Sequence, residues 1–279
     1  APGSAIVLPA TVQAVLAARI DALPEHDKAL LQTAAVIGRT FARDVLRRVA
    51  GADDASVDRA IDALVRAEFL EPAGEEGRAG IAYAFAHPLT HEVAYRTQLA
   101  GRREQQHAAV ARALESIWQD RTHEIAALLA HHHEHAGDRL AAARWSRIAA
   151  ERAMRSDVAE AVRLWTRARD LVAGLPDDAE TISIGIWAHI QLLNLGWRAG
   201  LDDAEARRMF ESALEIAKRA ADASATSGVL VTYGALRGLA GDSRTALELV
   251  AEAARLARET TDLGAQVATQ AALVQTQIM

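Results

Sequence analysis

Residues Phe69 to Pro88 read FLEPAGEEGRAGIAYAFAHP, and the second half of this stretch decides the fold. Ile81, Tyr83 and Phe85 alternate with Ala82, Ala84 and Ala86, a period of two that suits a pleated strand rather than a helix. Phe69 to Pro72 forms the other flank. The tip between them, Gly74-Glu75-Glu76-Gly77-Arg78-Ala79-Gly80, has the glycine and charge of a hairpin loop.

Everything upstream of the hairpin reads as helix. Thr11 is placed to cap a helix in which Val12, Val15, Leu16, Ile20 and Leu23 recur at helical spacing. Pro24 opens a second helix to Ile37, with Gly38 expected in the left-handed conformation that ends helices. A short helix from Ala42 to Ala50 closes at Gly51, and Asp53 or Asp54 caps a longer one to about Phe69. The last three of these helices followed by a hairpin describe a winged helix-turn-helix domain over residues 1–100. Pro88 then suits the first position of another helix, Leu89 to Leu99. Arg102 to Trp118 forms a connecting helix within residues 101–121.

From Thr122 onward the reading is helices alone, expected to span residues 122–279. Their breaks share a form, Asp after a small or apolar residue and Ala four positions later: Gly137-Asp138 with Ala142, Ser156-Asp157 with Ala161, Leu201-Asp202 with Ala206, Gly241-Asp242 with Ala246. Each break predicts a new antiparallel helix whose buried alanine permits close approach. This is the grammar of a tetratricopeptide-like α-helical solenoid, diverged from a strict period. Val267, Ala271, Val274 and Ile278 continue in helical register to the end, which predicts an array cut in mid-repeat with an uncapped apolar face.

Composition agrees with a mainly α protein. Hydrophobic residues are 51% of the chain and aromatics 4%, and 64 of the 279 residues are alanine. The absence of cysteine removes disulfides, thiolate metal sites and thiol nucleophiles, and fits a reducing cytoplasm. Net charge is -6 and evenly spread, with no basic cluster. No apolar run approaches a membrane span, so no membrane partner is expected. The start, Ala1 to Ser4, is no signal peptide and suggests a piece of something longer.

Motifs for catalysis are missing. The two lysines, Lys28 and Lys218, lie in predicted helices without the glycine frame of a phosphate loop, and no nucleophile elbow, metal helix or dinucleotide fingerprint occurs. The chain is therefore read as no enzyme, with no cofactor of its own. The third helix of the triad offers Arg59 and Arg66 against Asp54, Asp58, Asp62 and Glu68, a balance that repels phosphate, so no nucleic-acid partner is expected. His131, His132, His133 and His135, with His123 earlier, form a cluster in which His131 and His135 have ligand spacing on one helix face. Adjacent histidines point in different directions and no third ligand can be nominated from sequence, so packing at a helix seam is favoured over a metal. Trp118, Trp145, Trp165, Trp187 and Trp197 fall on helices and read as core, with a peptide-binding row as the other reading.

Leu8-Pro9-Ala10-Thr11-Val12-Gln13, Arg19-Ile20-Asp21 with Leu23-Pro24, Ala34-Ala35-Val36-Ile37-Gly38 with Phe41, Phe69-Leu70, and Phe85-x-His87-x-Leu89-x-x-Glu92-Val93-Ala94-Tyr95 together resemble the segment after the ATPase core of bacterial STAND-type (AAA-like) signalling ATPases. The resemblance is specific over residues 6 to 118. Such proteins are large adenylate or guanylate cyclases or LuxR-type transcription regulators, with tetratricopeptide-like repeats after the winged helix. It implies a regulatory and protein-interaction module that relays nucleotide state, with ATP or ADP held by an ATPase core N-terminal to Ala1. A scaffold or effector-sensing region of a LuxR-type regulator is the alternative. The implied partners are that core and a protein or peptide on the concave face of the repeats, lined by helices starting near Asp138, Thr181 and Ala223. Family members also carry an Ala-His-His-aromatic stretch before a Gly-Asp turn, matched by Ala130-His131-His132-His133 before Gly137-Asp138, which favours repeat packing for the cluster and leaves His133 and His135 without a role. Finally, strand-His-x-Leu-helix around His87 is similar to the Met-His-Asp motif of NB-ARC ATPases, whose histidine contacts the ADP β-phosphate. Ala86 and Pro88 replace the Met and Asp here. His87 is thus expected either to contact ADP phosphate in the full-length parent or to bond its own backbone corner.

Overall fold

The computed structural model describes residues 10–75 and 80–278, so most of the expected hairpin tip lies outside the described residues. The fold is mainly helical with one small three-stranded antiparallel sheet. It divides into two compact units, the first ending at Asp138 and the second beginning at Arg139. The sequence reading placed the change of grammar near residue 100. In the structure the following helices stay with the first unit because they pack on its core.

Unit 1 begins with α1 (Ala10–Asp21) and α2 (Glu25–Ile37). Thr11 lies inside α1 rather than capping it, since the helix already runs from Ala10. α2 is the hub of the unit. Its residues Leu30 to Ile37 are all buried, and α3 (Arg43–Ala50), α4 (Asp54–Arg66), α5 (Pro88–Arg96) and α6 (Ala100–Trp118) all pack against it. A helix surrounded in this way needs apolar or small residues on every face, which Leu-Leu-Gln-Thr-Ala-Ala-Val-Ile supplies. Gly38 ends α2 at φ 155° and ψ 179°, not in the left-handed helical region expected of it. That extended, positive-φ state is open to glycine alone, and it turns the chain directly into a strand.

This strand, β1 (Thr40–Ala42), is three residues long and too short to show alternation. It pairs with β3 (Ile81–Phe85), which also pairs with β2 (Leu70–Glu75), giving the order β1-β3-β2. The hairpin expected from sequence is therefore present, with one more strand on its far edge. The register slips between Pro72 and Gly74, a bulge on the edge strand β2, where a proline costs no ladder bond. α4 stops at Arg66, earlier than the Phe69 expected. Glu68 takes φ 60° while Phe69 N–H bonds Leu64 C=O, closing the helix so that Phe69 and Leu70 enter the core. Asp53 accepts from Ser56 N–H at 2.9 Å as the cap of α4, and Pro88 takes the first position of α5 as expected.

After α6 a 3-10 segment, Gln119–Ile125, replaces the helix expected from Thr122, and α7 (Ala126–His135) returns to pack on α6. Unit 2 is helical throughout: α8 (Arg139–Ala153), α9 (Val158–Val172), α10 (Ala179–Ala199), α11 (Asp203–Arg219), α12 (Ala223–Leu239), α13 (Ser243–Arg258) and α14 (Leu263–Ile278). Asp157, Asp202 and Asp242 cap their helices through Oδ1, and Ala142, Ala161, Ala206 and Ala246 are buried as expected. The close approach is visible at α12 and α13, where a Cβ on Gly234 would stand 2.9 Å from Val250 and 3.3 Å from Ala246 C=O. Three further breaks, capped by Asp178, Asp222 and Asp262, escaped the sequence pattern. At Ala221-Asp222 the chain makes the same turn as at Gly241-Asp242, with Ala221 held at φ 51° in place of glycine. On α14, Leu263, Val267 and Val274 are exposed. Among the described residues no helix is long and apolar enough to cross a membrane.

Candidate functional site

His87 sits where β3 turns into α5. Pairing of β3 between β1 and β2 fixes the strand, and Pro88 fixes the start of the helix one residue later. His87 is the N-cap residue at φ -134°, its carbonyl accepting from Thr90 and His91 N–H, and its imidazole makes no cap bond to the helix amides. The side chain is exposed. Pro88 has no N–H and Thr90 and His91 N–H are taken by the His87 carbonyl, so the corner presents an exposed imidazole without a cap bond at the positive end of the α5 dipole.

From the same corner a chain of ring contacts runs into unit 1. Phe85 meets His91 edge-on at 5.1 Å, His91 stacks near Tyr95 at 6.5 Å, and Tyr95 meets His107 at 5.9 Å. His91 shares a hydrogen bond with Ala35 C=O, and burial pushes its pKa down. Tyr95 Oη lies 3.0 Å from His107 Nε2, and His107 Nδ1 lies 2.9 Å from His132 Nδ1. The chain therefore joins the sheet to α7 through two successive helices, α5 and α6.

Its far end contains the histidine cluster. His107 and His132 are buried, and desolvation followed by the neighbouring imidazoles pushes His107 down to about 3 and His132 to about 2. Both are neutral at physiological pH, so one proton serves the contact between their Nδ1 atoms. His132 Nε2 is buried without a hydrogen-bond partner. His131 and His135 are exposed with rings 4.2 Å apart, and His135 Nδ1 shares a bond with His131 C=O. His133 points elsewhere, to Glu115 at 3.1 Å and Asp138 at 3.8 Å. His123 lies in the 3-10 segment, exposed. The sequence reading found the α7 members but missed His107, which lies on another helix with nothing local to mark it.

Unit 2 holds a cavity of about 520 Å³. Its floor is α10, with Gly185 and His189, and its walls are α9 and α11, which bring Arg169, Asp170, Glu205 and Arg208 to the rim. His189 is buried, its Nδ1 2.7 Å from Gly185 C=O, and burial pushes its pKa down. The helices nominated for a binding face begin at Arg139, Ala179 and Ala223, and of these only α10 lines this cavity. A second cavity of about 390 Å³ lies along α10 and the start of α12, beside Trp187. The tryptophans form no single row: Trp165 is fully buried, Trp118 and Trp145 are half-buried, Trp187 is exposed, and the side chain of Trp197 lies outside the description.

On α4, Asp54, Asp58, Asp62, Arg59 and Arg66 are all exposed. Arg43 of α3 reaches across to bind Asp58 in a two-pronged pair at 2.6 and 2.9 Å and Asp54 at 2.8 Å. That pairing holds the Asp58 carboxyl below its usual range. It also commits Arg43 to the protein's own carboxylates, while Arg59 and Arg66 share the exposed face with Asp62 and Glu68. No family model matches the chain, and no curated protein matches it at a significant level.

Proposed function

We propose that this chain is a non-catalytic regulatory and protein-interaction region of a larger STAND-type signalling ATPase, in which a winged helix reads nucleotide state and a tetratricopeptide-like solenoid binds a partner. The winged-helix reading is supported by element order: α2, β1, α3, α4, β2, β3, with the first strand pairing on the last. The solenoid reading is supported by breaks at Asp138, Asp178, Asp222 and Asp262, 40, 44 and 40 residues apart, the last three capped by the Asp side chain, with each pair of helices packing on the next. The acidic, self-paired surface of α4 argues for a structural use of that helix rather than phosphate contact.

The observation that carries the functional reading is the His87 corner. An exposed imidazole at a helix N-terminus, where the helix dipole favours negative charge, offers a contact for an anionic phosphate. The ring chain from Phe85 to His132 starts two residues from His87 and gives the corner a packed connection to α7, the helix that directly precedes the repeats. In the cyclase or regulator that carries this region, ADP bound by the upstream core is the ligand proposed for His87. The test is His87→Ala in the parent protein, with co-purified ADP quantified and basal output measured. Weakened ADP retention with raised output and an unchanged melting temperature is expected. Unchanged ADP retention refutes the assignment.

A further inference from the structure

Three imidazoles from two helices meet in unit 1 with the geometry of a ligand set. His107 on α6, and His131 and His132 on α7, each offer a ring nitrogen, and these atoms all lie within 4.8 Å of one another. His107 and His132 come from inside the seam and His131 from its surface, so the set has a protein-filled side and an open side.

We propose that His107, His131 and His132 form a binding site for a divalent transition metal of the zinc class, with a fourth coordination position on the open side. The donors are all imidazole nitrogens, which suit zinc, cobalt, nickel or copper and not magnesium or calcium. Metal–nitrogen bonds of about 2.0–2.1 Å in tetrahedral geometry put ligand nitrogens roughly 3.3 Å apart. The His107 and His132 Nδ1 atoms, at 2.9 Å, need only to separate by a few tenths of an ångström. His131 already lies against both rings, its ring centroid 5.7 Å from that of His107 and 5.2 Å from that of His132.

Protonation accommodates the metal without loss of a proton. Between the two buried rings one Nδ1 carries the hydrogen. When both Nδ1 atoms bind the metal, that proton moves to Nε2 of its own ring, so both rings stay neutral and both are Nε2–H tautomers. His107 Nε2–H then donates to Tyr95 Oη at 3.0 Å, the outer contact that orients a metal-bound imidazole. The set also gives a reason for burying His132, whose Nε2 is left without a partner where an apolar residue would leave none.

The experiment uses the whole chain without an affinity tag, stripped with chelator and exchanged into clean buffer. Zn²⁺ is titrated calorimetrically at neutral pH, and Co²⁺ is followed by its visible absorption. One equivalent should bind with a Kd of about micromolar or tighter, Co²⁺ should show a tetrahedral spectrum, and Zn²⁺ should raise the melting temperature. His131→Gln, at an exposed position, keeps the fold by circular dichroism and should weaken Zn²⁺ roughly tenfold or more. His123→Gln should bind as the parent chain does. Absence of saturable binding below about 100 µM, several equivalent weak sites, or an unchanged Kd in a folded His131→Gln variant overturns the proposal.

Discussion

Acidification between about pH 7.5 and 5.5 should destabilise unit 1 through His107 and His132. Both imidazoles are neutral in the folded protein, with pKa values pushed to about 3 and about 2, whereas in the unfolded chain each titrates near its ordinary value of about 6.5. Below that value the unfolded state binds more protons than the folded state, so stability is complete above it and falls as pH falls. Each group's contribution is RT ln(1 + 10^(pKa − pH)) with the unfolded pKa, about 0.06 kcal/mol at pH 7.5 and about 1.4 at pH 5.5. The pair therefore removes about 2.7 kcal/mol over two pH units, and the loss continues toward the folded value of His107.

The groups facing the pair do not offset this. Arg103 on α6 and His131 and His135 on α7 all disfavour a positive charge there. His91, also pushed down by burial, adds loss of the same sign. Carboxylates held low, such as Asp58 and Glu180, lose their contribution only below their ordinary range near 4, outside the window. Urea titrations in the presence of chelator should show the unit 1 midpoint falling by about 1.3 M at an m-value of about 2 kcal/mol/M. The imidazole Cε1–H resonances of the two residues should stay unshifted over the same range. A flat midpoint, or either resonance titrating near pH 6.5, refutes the reasoning.

Ala221→Gly should stabilise unit 2 by up to about 1 kcal/mol, because Ala221 sits at φ 51° where its Cβ is strained, and urea unfolding reads the gain. Gly234→Ala should destabilise despite the better helix propensity of alanine, worth about 1 kcal/mol: the new Cβ would lie 2.9 Å from Val250 and 3.3 Å from a backbone oxygen, and overpacking costs about 1–3 kcal/mol. A rise in melting temperature for Gly234→Ala would show that α12 and α13 can separate freely.

The parts of the fold that were legible in the sequence are those encoded within one turn or one strand. Asp157, Asp202 and Asp242 announce helix starts because a cap bonds an amide three residues on, a contact that spacing alone reveals. Ile81 to Phe85 declared itself by its alternation and Pro88 by its fixed φ. Ala221-Asp222 stayed silent because alanine occupies the left-handed position that glycine marks at Gly137 and Gly241. β1 stayed silent because three residues form a strand only when β3 is there to pair with them. The corner position of His87 followed from the strand before it and the proline after it, whereas His107 had no local signal, since its partner His132 is 25 residues away on another helix.

That failure has a physical origin in the composition. With 64 alanines and 4% aromatics, the seams between helices are smooth, and alanine faces packed on one another tolerate small slides with little change in buried area. Register then depends on directional contacts. Along α5, α6 and α7 those contacts are Tyr95 Oη to His107 Nε2 and His107 Nδ1 to His132 Nδ1, each of which fails if one helix moves by a turn relative to the next. The same few polar atoms that fix the packing of unit 1 are therefore the ones able to take a ligand. Whatever binds or protonates them acts on the contacts that align α7 with α6.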